Sequence, residues 1–169
     1  MESISEKSKE FYLVPNDVTD LKNVDEALLK NGIASKLLQQ YAVNIKAQKQ
    51  LFILDACQSA GAFSKLIESD ATQQKSLALV ARSTGTHWMA ASGSQQYAQE
   101  FSQLGHGAFT YALLTGLEGK AQIQKMITVN GLKNYISDII PKLMKQYNGS
   151  EQFPVSYGFG KDFPVEEVK

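Results

Sequence analysis

Residues 49–61 read Lys-Gln-Leu-Phe-Ile-Leu-Asp-Ala-Cys-Gln-Ser-Ala-Gly, a short apolar run that ends in an acid and the one cysteine of the chain. Residues 51–54 are too few for a helix, are bounded by polar neighbours and lack the alternation of a half-exposed strand. The pattern predicts a strand buried on both faces, as in the interior of a parallel sheet. Asp55 and Cys57 then fall at its C-terminal edge, where the strand-to-helix loops of an open α/β sheet converge and ligands bind. Ser59, Ala60 and Gly61 are small enough to open a helix, whose positive end would favour thiolate over thiol at Cys57. The plainer alternative is a cysteine that serves as a small, inert, buried hydrophobe.

Working outward, residues 33–45 carry Leu37, Leu38, Tyr41, Ala42 and Ile45 at helical spacing with one wet face, and this helix feeds the strand. Further upstream, residues 1–10 are polar and read as a loop or flexible start. Residues 11–14 read as a short extended piece closed by Pro15-Asn16-Asp17, and residues 20–31 as a charged loop with a helical turn ahead of Gly32. Downstream, Phe63, Leu66 and Ile67 continue one helix, residues 77–81 belong to another, and residues 86–91 (Thr-His-Trp-Met-Ala-Ala) predict a second buried strand. Ser92, Gly93 and Ser94 close that strand on the same edge as Cys57 if the two strands are parallel, which makes Ser92 and Ser94 candidate substrate contacts as well as ordinary turn formers. After Gly105-His106-Gly107 the stripe Phe109, Ala112, Leu113, Gly116, Leu117 predicts a helix stopped by Gly119. Residues 126–129 suggest a short strand. Asn130 is placed to cap the strongest amphipathic stripe of the chain, Leu132 to Tyr147, with Pro141 inside it. The tail from Phe153 to Val165 suggests a last strand. Alternating strands and helices indicate the α/β class with a mostly parallel sheet.

At 169 residues and 43% hydrophobic content the chain suffices for one domain with a real core. Seventeen basic residues balance seventeen acidic ones, so no net field would steer nucleic acid or an anionic membrane to it. One cysteine forms no internal disulfide and the first residues lack the pattern of a signal peptide, so a reducing cytoplasm is the expected setting. No apolar run approaches the length of a membrane span. Two histidines and one cysteine without ligand spacing give no zinc site, and no cofactor is called for.

The order of motifs adds a resemblance. Asp55-Ala56-Cys57 with its following small residues is similar to the nucleophile loop of bacterial caspase-like cysteine peptidases, Asp-Ala-Cys-x-Ser-Gly, departing from it at Ala60. Residues 11–17, the Ala-Ala-Ser strand end, Gly-His-Gly-Ala-Phe-Thr-Tyr-Ala-Leu-Leu-Thr-Gly-Leu and the closing Gln-Phe-Pro-Val-Ser-Tyr-Gly-Phe-Gly resemble later motifs of that family, in family order. The resemblance implies a three-layer caspase-like sandwich in a single partial domain spanning residues 1–169, acting on peptide or protein substrates. It implies Cys57 as nucleophile, with its backbone N–H as one oxyanion donor. It implies Asp55 as the acid that favours Arg or Lys before the scissile bond, although an aspartate here can also serve only to accept hydrogen bonds within its turn.

The base does not follow so simply. Caspases carry the partner histidine about 50 residues upstream of the cysteine, a stretch that holds no histidine here; His87 and His106 both lie downstream. By the resemblance, residues 11–17 match the segment that follows the histidine loop, so the loop and the strands before it are expected to be missing. His106 opens a helix and reads as structural and exposed; His87, beside Trp88 in a strand, reads as a packed core residue. The expectation is an endopeptidase portion that is inactive alone and receives its histidine from another chain or segment. The rival is a non-catalytic caspase-like module that self-associates through an open sheet edge.

Overall fold

A computed structural model of the chain describes residues 2–4, 11–15, 24–56, 85–93 and 96–168. In chain order its elements are β1 (Glu2–Ile4), β2 (Phe11–Leu13), α1 (Val24–Asn31), β3 (Ile33–Ala34), α2 (Ser35–Asn44), β4 (Lys49–Leu54) and β5 (Gly85–Ala90). There follow β6 (Glu100–Phe101), β7 (His106–Gly107), α3 (Ala108–Thr115), β8 (Met126–Thr128), α4 (Val129–Gln146), β9 (Val155–Gly160) and β10 (Pro164–Glu167). Cys57, Ser94, the expected helix opening at residues 59–61 and the helices expected across residues 63–81 lie outside the described residues.

The sheet that positions the site runs β4-β5-β9. β5 pairs in parallel with β4, Phe52 opposite Trp88 and Leu54 opposite Ala90, and antiparallel with β9, Trp88 opposite Tyr157. Having a neighbour on each side, β5 is the buried strand; β4 is half-buried with Ile53 exposed, and β9 is exposed along most of its length. Full burial, expected of residues 51–54, therefore falls to β5, because among the described residues β4 is paired on one side only. Of the strand pairings described, β4–β5 is parallel and the other five are antiparallel. The hairpins and the returning tail supply the antiparallel ones, which a strand-helix alternation in sequence does not reveal.

Alternation along the strands sends side chains to two packed faces. On one face Met89 and Ala91 join Ala108, Phe109 and Ala112 of α3, Leu132, Ile136 and Ile140 of α4, Ile127 of β8 and Phe163, with Leu51 packed against them. On the other, Trp88 and Ala90 meet Ala42 of α2 together with Phe52, Leu54 and Val155. Phe52 stacks on Trp88 with ring centroids 4.0 Å apart and planes 13° from parallel. Full burial of a side chain such as Phe109 or Ile127 contributes about 1.5–3 kcal/mol, so the α3–α4 face carries most of the stabilisation.

Three local expectations shift. Glu2–Ile4 pairs with β2 as a strand rather than a loop. The helix feeding β4 begins at Ser35, because Ile33 and Ala34 pair with β2. The cap of α4 is Thr128, whose extended backbone lets its hydroxyl oxygen accept from the Gly131 N–H at 3.1 Å. Asn130, the expected cap, is the second residue of the helix and gives its backbone N–H to Asp162 Oδ1 at 3.0 Å. Pro141 lies within α4, and the tail forms two strands, β9 and β10.

Candidate active site

The ends of β4 and β5 leave the sheet together. The Ala91 N–H donates to Leu54 O at 3.0 Å, one step past the last paired residues. Ser92, with no exposed surface, then directs its hydroxyl at two backbone carbonyls, Gln96 O at 3.1 Å and Ala56 O at 3.4 Å. One hydroxyl proton serves both, so Ser92 ties the exit of β5 to the residue that precedes Cys57.

The segment after Ser92 is fixed by side-chain amides. Gln96 Oε1 accepts from Gly93 N at 3.2 Å and from Phe153 N at 3.0 Å. Gln152, buried on the tail before β9, donates from Nε2 to Ala91 O at 2.8 Å and accepts on Oε1 from Gln99 N at 2.9 Å. Both polar ends of a buried carboxamide are thus used, the condition under which burying it is tolerable.

Asp55 is different in kind, being exposed at the sheet edge. Its Oδ2 accepts a short hydrogen bond from the hydroxyl of Thr110, in the first turn of α3. Gly107 caps that helix, and a methyl group built on it would lie 3.7 Å from the same oxygen. The carboxylate therefore sits beside the N-terminal end of α3. Oδ1 has no hydrogen-bond partner among the described residues.

Neither histidine shares that environment. His87 is buried, its Nε2 3.2 Å from Lys161 O and its ring set edge-on to Phe163 with centroids 5.5 Å apart. Its Nδ1 has no hydrogen-bond partner among the described residues and lies against Gly158, where an added methyl group would clash with the ring. The packed role expected of His87 fits this setting. His106 is exposed in β7, opposite Phe101. Since Gly107 turns its side-chain direction toward Asp55, alternation turns His106 to the opposite side of the ribbon.

The site thus joins Asp55, Ala56, Ser92, Gly107 and Thr110 at one edge of a parallel strand pair. Among the described residues no group of three or more His, Cys, Asp or Glu side chains is placed to hold a metal ion, and no helix is long and apolar enough to cross a membrane. Compared with known protein families, residues 6–157 match the caspase domain of peptidase family C14. The chain belongs to the caspase domain family. At that level its function is of the cysteine-peptidase type, with proteins as substrates, on an α/β fold. Neither the curated proteins nor the solved structures compared with it gave a match.

Within this caspase domain, sequence reasoning singled out Asp55 and Ser92, which the fold brings to this edge, and did not single out Thr110, Gln96 or Gln152, which hold it. Thr110 stood in the Gly-His-Gly-Ala-Phe-Thr motif, where a hydroxyl in the first turn of an apolar helix is a usable signal. Gln152 had a fainter one, an amide next to the apolar tail.

Proposed function

We propose that this caspase domain is the nucleophile-bearing portion of a cysteine endopeptidase that cleaves after basic residues and depends on a histidine other than His87 and His106. The carrying observation is Asp55: an exposed aspartate with one oxygen unpartnered among the described residues, at the C-terminal end of a parallel strand and two residues before the only cysteine. A cationic side chain arriving at this edge would bring its following carbonyl toward Cys57. The thiolate of Cys57 adds to that carbonyl, and the oxyanion is held by backbone N–H donors, that of Cys57 among them. Collapse breaks the C–N bond, the leaving amine takes a proton from the imidazolium, and water then releases the acyl group as a carboxylic acid.

The burial of His87 and the direction of His106 support an external base. Its segment would bring further parallel strands to the unpaired side of β4, completing a three-layer sandwich around a mostly parallel sheet. Ser92 acts in this scheme through the backbone of Ala56, and Ser94 remains a candidate contact. A reducing cytoplasm suits a free thiol nucleophile.

The test is covalent labelling with a peptidyl-arginine acyloxymethyl ketone, with Cys57→Ala as control. We expect no peptide turnover by the chain alone, and labelling at Cys57 once a histidine-bearing caspase segment is added. Absence of labelling even then would remove the enzyme reading. A second reading, a non-catalytic module that self-associates, has one observation in its favour: among the described strands β9 lies at the edge of its sheet, with Tyr157 and Phe159 exposed. Sedimentation showing a stable dimer, together with an inert Cys57, would favour it.

A further inference from the structure

Two backbone N–H groups from distant segments converge on one atom beyond the end of β5. Gly93 N lies 3.2 Å and Phe153 N 3.0 Å from Gln96 Oε1. Gly93 follows Ser92, whose hydroxyl reaches the carbonyl of Ala56, so the pair belongs to the edge that carries the candidate site. The missing side chain of Gly93 is what lets an oxygen come this close, since a methyl group built there would stand 3.1 Å from Oε1. Two donors aimed at one point suit an oxygen with two lone pairs, and the atom that fills the point is a carboxamide oxygen, chemically the equal of a main-chain carbonyl.

Gln96 is held there lightly. Its backbone is fixed without the side chain: its N–H donates to Gly93 O at 3.1 Å and its carbonyl accepts from the Ser92 hydroxyl at 3.1 Å. Its Nε2 has no hydrogen-bond partner among the described residues, whereas the buried carboxamide of Gln152 is bonded at both ends. Gly93, Gln96 and Phe153 are all at least partly open to solvent, so turning the Gln96 side chain outward hands its amide and the two N–H groups to water and keeps the backbone turn. We infer that the Gly93 and Phe153 N–H groups form a binding site for a main-chain carbonyl of an extended peptide, and that Gln96 caps this site in the free chain. The ligand class rests on the peptidase reading of this edge. An incoming peptide exchanges its own amide oxygen for that of Gln96, and the cap weakens binding according to the fraction of time it is on.

The test follows the Gly93 and Phe153 amide signals of the full 169-residue chain by NMR, with acetyl-Ala-Ala-Arg amide as the probe and Gln96→Ala and Gln96→Met as variants. We expect the peptide to shift both amides in wild type, and each variant to bind it about threefold to tenfold more tightly, the gain from removing a cap worth one or two net hydrogen bonds. In the free variants both amides should exchange faster with water, and the peptide should slow them again. Gln96→Met keeps the side-chain length and carries the test should the alanine variant not fold. Equal or weaker binding by the variants makes Gln96 a staple of its loop and refutes the cap. Peptide binding that leaves both amides unmoved refutes the site. Sodium acetate that moves both amides as far as the same concentration of peptide refutes the assignment to a peptide carbonyl. Should neither wild type nor variant bind the peptide, the site is refuted as well, and labelling of Cys57 by the peptidyl-arginine ketone decides separately whether the peptidase reading survives.

Discussion

Gln152 offers the sharpest test of how the site is held. Its carboxamide is buried and spans two backbone groups from different segments, Ala91 O at the end of β5 and the Gln99 N–H ahead of β6. Replacement by methionine keeps the length and most of the volume while removing the donor and the acceptor together. Each stranded backbone group then costs about 1–3 kcal/mol. Gln152 also borders an open groove of about 260 Å³, with Pro141, Met144, Lys145, Glu151 and Phe153 among its walls. Water admitted through that groove can satisfy one of the two groups, which leaves the cost of the other, about 1–3 kcal/mol in all. The assay is urea unfolding of the full chain, read as a fall in midpoint at constant slope. Gln152→Glu separates the two bonds, since it keeps an acceptor for Gln99 but loses the donor to Ala91, and it should also be destabilised. A methionine variant within about 0.5 kcal/mol of wild type, the scatter of ordinary surface substitutions, would refute the reasoning.

Two further outcomes follow from packing and charge. Gly158→Ala would push a methyl group into His87, and because His87 is held by Lys161 O and Phe163 the clash should cost about 1–3 kcal/mol; in a His87→Ala background most of that cost should vanish, and an equal cost in both backgrounds would show that the ring is not the obstacle. Lys133 has its pKa lowered from 10.5 by burial, against a smaller raising effect of Asp162. The folded chain therefore releases this proton at lower pH than the unfolded chain, and stability rises with pH between the lowered value and 10.5. Lys133→Met should lose that rise relative to wild type in unfolding experiments run from neutral pH upward, and parallel curves for the two proteins would contradict it.

Much of this fold was legible where side-chain period and chain punctuation agree. The stripe from Leu132 to Tyr147 became α4, and residues 108–115 became a helix of the predicted kind. What the sequence does not carry is partnership. Residues 51–54 and 86–91 are alike as apolar runs, yet the second is the deeper because it has neighbours on both sides, and β9 arrives from seventy residues away in the chain, about the separation at which local pattern says nothing of pairing. Helix caps fail for a similar reason: Thr128 and Asn130 are both good capping residues, and the backbone run of β8 into α4, with Asp162 reaching in from the tail, decides between them. Ser92 was legible as a polar strand end, but its burial depends on Ala56 and Gln96, which meet it only in the fold.

The contrast between Asp55 and Ser92 follows from a single parity. Leu51 packs toward α3 and α4, while Phe52 and Leu54 pack toward α2; carried two residues past Ile53, the alternation sends Asp55 to the α3 side. It meets the start of that helix there, which is why its partner is Thr110 rather than a residue of its own turn. Carried past Trp88 and Ala90, the same alternation sends Ser92 to the α2 side, next to Ala56 in the parallel register, so its hydroxyl is spent on backbone. Two polar residues at neighbouring strand ends therefore have opposite capacities. Asp55 remains exposed, and Ser92 keeps none of its surface. On the function proposed, selectivity at this edge comes from charge at Asp55, and Ser92 contributes by fixing the carbonyl of the residue before Cys57.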